Sequence, residues 1–164
     1  GLGDVYKRQG YINPPYQPSF GTIGYLDGTF YFTVVHEVTG HALGLLGDEY
    51  GHNQTTPTSG AIETIHYGHR VGTHLNLSLT DDPASVPWAH LIGDSRFPDV
   101  GIYRGGSNYL YGVWHASPRC IMHSDPGWPY FDTVCRELLV RRILTLAGEE
   151  YTFEKFLEND KMDY

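Results

Sequence analysis

Residues 35–50 read VHEVTGHALGLLGDEY, and this stretch decides how the rest of the chain is understood. It belongs to an apolar segment, Phe30 to Leu46, long enough for a helix, with Phe32, Val35, Val38, Ala42 and Leu45 suggesting one buried face. Two histidines, His36 and His41, lie within it, and Glu37 directly follows the first. A pair of imidazoles with an adjacent carboxylate is the donor and base set of a zinc peptidase, which commonly spaces its histidines four apart as His-Glu-x-x-His. Here the spacing is five. On an α-helix residues four apart lie about 40° from one another, and residues five apart about 140°. The spacing therefore predicts a local π-bulge, whose i→i+5 turns realign the two rings. Gly40, just before His41, lowers the cost of that distortion.

The third ligand is less directly written. His41 to Leu46 (HALGLL) follows the x-x-Gly-x-x run of metzincin-type metalloproteases, but the next position is Gly47, which has no side chain to offer. In a continuous helix Asp48 would lie about 10 Å along the axis from His41. If Gly44 or Gly47 turns the chain back, Asp48 can reach the metal and becomes the favoured third ligand. Glu49 and His52 are the alternatives, and a more distant Glu63 would serve if a second helix supplied the ligand.

Outside this stretch the chain is acidic and irregular. Its 164 residues suit one domain, and a formal charge of −8 argues against a nucleic-acid binder with a basic face. No apolar run approaches the roughly 18 residues of a membrane span. Residues 1–9, GLGDVYKRQ, differ in character from the remainder of the chain and read as a non-native, adapter-like segment, leaving residues 10–164 as part of a catalytic domain and the chain as a fragment. Residues 10–29 and the polar stretch from Tyr50 to about Thr80 read as loops, the latter punctuated by Pro57, Gly60, Gly68 and Gly72. Asp82-Pro83 predicts a short helix to about Leu91, and Gly101–Trp114 a strand pair or ordered loop. Asp132 predicts the cap of a helix over 133–147, closed by Gly148, and Thr152 the start of another. Cys120 and Cys135 either bridge in an oxidising compartment or remain thiols in a reducing one.

The stretch HEVTGHALGLLGDEY resembles the motif of the IgA-peptidase family of bacterial zinc metallo-endopeptidases, particularly a gut Bacteroidetes branch with a His-Glu-x-x-Gly-His variant. The resemblance extends through DDPASVPWAH (81–90), VGIYRGGSNYLYGVW (100–114), Cys120 to Met122 with Ser124, and RELLVRRILTLA (136–147). It implies an α+β, zincin-like catalytic domain, helix-dominated and loop-rich, with one zinc. His36 and His41 then match the first two ligands, Glu37 the catalytic glutamate, and Asp48 falls in the Asp-Glu-Tyr tail. Met122 matches the methionine turn beneath such sites, and Cys120 and Cys135 match positions that are cysteine in some relatives, implying a possible disulfide. A zincin carries a sheet ahead of its active-site helix, so the short stretch before His36 predicts that this N-terminal sheet is lacking and that the isolated fragment binds zinc weakly or folds poorly.

The resemblance implies a protein that is extracellular, periplasmic or at the cell surface, and the expected activity is hydrolysis of internal peptide bonds in extracellular protein substrates, with Glu37 as general base and Tyr50, Tyr109, Tyr111 or His123 as a further hydrogen-bond donor. A catalytically silent, zinc-containing protein- or glycan-binding domain is the competing expectation. Oligomeric state and cleavage specificity are not written in the sequence.

Overall fold

The computed structural model describes residues 30–123 and 128–160. The adapter-like segment, the loop assigned to residues 10–29 and Ser124 lie outside the described residues, as does the stretch to which the expected lack of an N-terminal sheet refers. Helix α1 (Phe30–Val34) runs directly into a π-helical segment, Val35–Leu43. Strand β1 (Gly51–Asn53), helix α2 (Ser59–Val71) and strand β2 (Leu77–Ser78) come next. A loop with a short 3-10 turn at Ala89–Leu91 leads to the hairpin β3 (Tyr103–Gly106) and β4 (Asn108–His115). A second 3-10 turn, Ile121–His123, precedes helices α3 (Thr133–Leu146) and α4 (Phe153–Asn159). The architecture is α+β with a small open sheet.

Strand β4 organises that sheet. It pairs antiparallel with β3 along one edge, with Tyr103 opposite His115 and Gly106 opposite Tyr109. Its other edge takes β1 in parallel, Gly51 opposite Asn108, and β2 antiparallel, Leu77 opposite His115. The hairpin reverses through Ser107 and Asn108, both at positive φ (48° and 69°). At Gly106, also left-handed, a Cβ would lie 2.8 Å from Leu77 Cδ2 and 2.9 Å from Val113 Cγ1, so only glycine fits.

Among the described residues, three apolar groups make the interior. One gathers Trp88, Leu91, Phe97, Val134 and Phe156 beneath the long loop, and another packs Leu46, Cys120, Ile121, Met122 and Cys135 under the π-helical segment. The third joins Ile65 of α2 to Leu77 and Val113 of the sheet. Leu138 of α3 packs against the first two, so this helix ties them together.

Several sequence expectations change in the structure. The polar stretch after Tyr50 is not a loop: it holds α2, capped by Thr58, whose hydroxyl accepts from Ala61 N, and closed by left-handed Gly72. The helix expected after Asp82 is instead a turn, because Asp82 hydrogen-bonds locally to Ala84 N and Ser85 Oγ, and Pro87 brings no N–H to continue a ladder. Val38 is exposed, since π winding rotates it off the face an α-helix would bury. The caps at Asp132 and Thr152 stand as expected, with Cys135 N donating to Asp132 Oδ1 (2.7 Å) and Lys155 N to Thr152 Oγ1 (3.3 Å). Ile143 and Leu146 of α3 are exposed while Val134 and Leu139 are buried, because the interior covers only the helix's first half.

Candidate metal centre

The π winding places the two histidines of the 35–43 segment side by side. Their ring centroids are 5.0 Å apart and nearly perpendicular. The segment closes with Gly44 N on Thr39 O and Leu46 N on Gly40 O, the wide counterpart of an ordinary helix end. The reversal itself occurs at Leu45, in the left-handed region at φ 56°. Neither glycine expected to turn the chain does so: Gly44 is right-handed (φ −76°), and Gly47 supplies close approach, since a Cβ there would lie 2.6 Å from Leu77 Cδ1.

Three contacts then fix the returning strand. Asn76, fully buried, accepts from Gly47 N and donates to Gly47 O, both at 2.8 Å. Asp48 O accepts from Ser107 N in the hairpin turn (2.8 Å), and Glu49 N donates to Met122 O (2.9 Å). Asp48 is thereby delivered to the histidines. Its Oδ1 lies 3.1 Å from His36 Nε2 and 3.1 Å from His41 Nε2.

The remaining ring nitrogens decide what this convergence can do. His36 Nδ1 donates to Ile121 O and His41 Nδ1 to Leu46 O, each at 2.8 Å. A carbonyl only accepts, so each neutral ring carries its proton at Nδ1 and turns a lone pair at Nε2 toward Asp48. Two lone pairs and a carboxylate oxygen aimed at one point repel one another unless a cation joins them. Histidine ligands held by a backbone carbonyl at the far nitrogen are the usual arrangement around a metal ion. His36, His41 and Asp48 thus form a group that could hold a metal ion, and the donor set fits zinc.

In the metal-free group a proton at Nε2 takes that cation's place. Burial by itself would push the Asp48 carboxyl up, but its contacts with His36 and His41 outweigh this and hold it well below the usual carboxylate range. Burial likewise works against a charged His41, yet the Asp48 carboxylate beside it, with lesser help from Leu46 O and Glu37, leaves its pKa raised.

The centre opens into a cleft of about 610 Å³ whose lining includes Glu37, His41, Asp48, Tyr50, Tyr67 and His74. The Tyr50 hydroxyl is pushed up to about 12 by burial and by the facing carboxylates of Asp48 and Glu37, so it stays protonated. Of the four expected hydrogen-bond donors it alone lines this cleft. Tyr109 packs with the Ile65 group, Tyr111 lies under Arg104, and His123 pairs with His115 (3.2 Å).

The alternative ligands are elsewhere. Glu49 turns to the opposite side, toward Asn76 and Cys135; His52 is exposed with its ring against Tyr50; Glu63 pairs with Arg70 (2.8 Å) on the outer face of α2. Met122 is fully buried beneath the histidine segment, against Gly40. Cys120 and Cys135 are free thiols, with Sγ atoms 3.7 Å apart.

His74, like Tyr67 and Val71, is a cleft residue that the sequence does not announce. Its backbone donates to Leu45 O (2.8 Å), which brings it to the rim, and burial, followed by the nearby charge of His41, lowers its pKa. No motif contains it, because the contact depends on how α2 packs.

The chain matches no family model and no curated protein.

Proposed function

We propose that this chain is the catalytic part of a zinc-dependent endopeptidase with a zincin-like fold, as its resemblance to the IgA-peptidase family implies. The observation that carries the reading is the meeting of two Nε2 lone pairs and the Asp48 carboxylate at the floor of an open cleft, with Glu37 in its wall. When bound by His36, His41 and Asp48, zinc supplies Lewis-acid activation of water and of a scissile carbonyl. Glu37 takes the proton of the attacking water and delivers it to the departing amine. Tyr50, protonated across the neutral range, donates a hydrogen bond to the oxygen on which charge develops. Tyr67 and Val71, both exposed apolar side chains on α2, give the opposite wall a surface for substrate side chains. Met122 acts as the packed floor rather than as a ligand. The substrates are proteins or peptides outside the cytoplasm, which is where peptidases of the resembled family act.

The test combines zinc content with cleavage of a fluorogenic peptide library. The wild-type chain should carry zinc at this centre, His41→Ala should lose it, and Glu37→Gln should retain it while cleavage falls by at least about 100-fold, the scale of general-base catalysis. Zinc retained with no cleavage by either the wild type or Glu37→Gln would instead assign a binding domain.

A further inference from the structure

Asp48 and Glu49 are neighbours whose side chains leave the chain on opposite sides. Asp48 faces the histidines, while Glu49 enters the interior, where three other donors meet it. Cys120 comes from the segment before the Ile121–His123 turn, and Asp132 and Cys135 from the cap and first turn of α3. One ligand atom from each of the four residues lies within 4.8 Å of every other. Glu49, Cys120 and Cys135 have no exposed surface and Asp132 has 6%.

This is a costly interior for a protein to keep without a purpose. Glu49 Oε1 accepts from Asn76 Nδ2 (2.9 Å) and from Cys135 Sγ (3.1 Å), but Glu49 Oε2 has no partner among the described residues. Asp132 Oδ1 caps α3 at Cys135 N, and Asp132 Oδ2 likewise has no hydrogen-bond partner among the described residues. Two unpartnered carboxylate oxygens therefore stand buried beside two thiols. Burial raises the pKa of Cys120 to about 12 and pushes Cys135 up as well, so neither ionises unaided. A cation that displaces the thiol protons reverses that balance, because metal binding and deprotonation are linked.

The distances suit one ion. In a tetrahedral site with metal–sulfur bonds of about 2.3 Å, two thiolates stand about 3.8 Å apart. The Cys120 and Cys135 sulfurs are 3.7 Å apart. A disulfide needs about 2.05 Å. Two sulfurs select a zinc-class ion over magnesium or calcium. Four protein donors leave no open position, which is the form of a structural site. Asn76, bonded to Glu49, and Arg136, whose charge acts on Asp132, support the donors from outside.

We propose that Glu49, Cys120, Asp132 and Cys135 bind a second, structural metal ion of the zinc class. It shares no donor with the histidine centre and does not depend on the peptidase reading. It fastens the segment after Asp48, the segment before Met122 and the start of α3 to one point.

The experiment loads the metal-free chain with Co²⁺, and separately with Zn²⁺, and reads metal per chain together with near-ultraviolet absorption from thiolate-to-cobalt charge transfer. Wild type should take up two equivalents and show the band. The double variant His36→Ala/His41→Ala should keep one equivalent and the whole band. Cys135→Ser should lose one equivalent and the band. Should that variant misfold, Glu49→Gln is near-isosteric and retains an oxygen for Asn76. It should weaken the cobalt site beyond the roughly 10–100-fold that loss of an outer partner causes. A wild-type chain without the band overturns the proposal, as does a native mass lower by the two hydrogens of an oxidised cysteine pair. Loss of the band in the histidine variant with the cysteines intact overturns it too. Loss of the histidine-bound equivalent alone would count against the peptidase reading and leave this site standing.

Discussion

Gly40 offers a direct test of why a glycine stands between the histidines. Its backbone is not left-handed, so conformational freedom is not what the position requires. The requirement is space. A Cβ on residue 40 would lie 2.3 Å from Met122 Sδ, 3.0 Å from Met122 Cε and 3.5 Å from Phe131 Cε1. Ordinary contacts between such atoms are about 3.5–4.0 Å, so the sulfur must move by more than an ångström. Met122 is fully buried among Leu46, Ile121 and Cys135 and has little room to do so. Gly40→Ala should therefore destabilise the fold by about 1–3 kcal/mol, the usual range for overpacking. Urea denaturation followed by circular dichroism measures it, in wild type and in a Met122→Ala background. With the sulfur removed the clash disappears, and alanine's better helix propensity, worth about 0.8–1 kcal/mol over glycine, should make the same change neutral or mildly stabilising. An equal penalty in both backgrounds would refute the steric account and return the cause to the π-helical backbone.

Buried polar groups give two further expected outcomes. Asn76→Ala removes the side-chain partners of Gly47 N and Gly47 O and one from Glu49, so a loss of about 3 kcal/mol or more is expected by denaturation, with any metal affinity of the histidine centre falling alongside; a loss below about 1 kcal/mol would show that Gly47 needs no clamp. His115 has its pKa lowered to about 3 by burial and by His123. The folded state then keeps it neutral while the unfolded state takes up a proton below about 6.5, so stability from this group is complete above that pH and declines as pH falls toward 3. The slope is about 1.4 kcal/mol per unit, and between pH 6 and 4 wild type should lose on the order of 2 kcal/mol more than His115→Gln; identical losses would remove His115 from the acid response.

What the sequence makes legible is local. His36, Glu37 and His41 share one helical segment, and the five-residue spacing by itself calls for the wide turn that the structure contains. Asp48 lies close enough along the chain to be a candidate on spacing alone. Helix α2 is hidden because Gly60, Gly68 and Gly72 look like breakers. Gly68 is there for packing, since a Cβ would stand 2.9 Å from Thr73 Oγ1, while Gly72 is the helix's own left-handed stop. Thr58 and Gly72 are readable as start and stop signals. Nothing local links Glu49 to Cys135, 86 residues on, or Asn76 to Gly47. Those contacts arise only when α3 and the sheet close over the π-helical segment.

The carbonyls that hold the two imidazoles belong to the main chain, at Leu46 and Ile121. Every amino acid brings that oxygen, so replacing either residue leaves the acceptor chemically present. A ring oriented by a neighbouring aspartate could be released by one point mutation; these rings cannot be released that way. Their weak point is chain length. An inserted or deleted residue between Leu43 and Leu46, or between Pro118 and Met122, would shift the acceptor itself, so the orientation of this centre tolerates substitution at those positions far better than it tolerates a change of frame along the backbone.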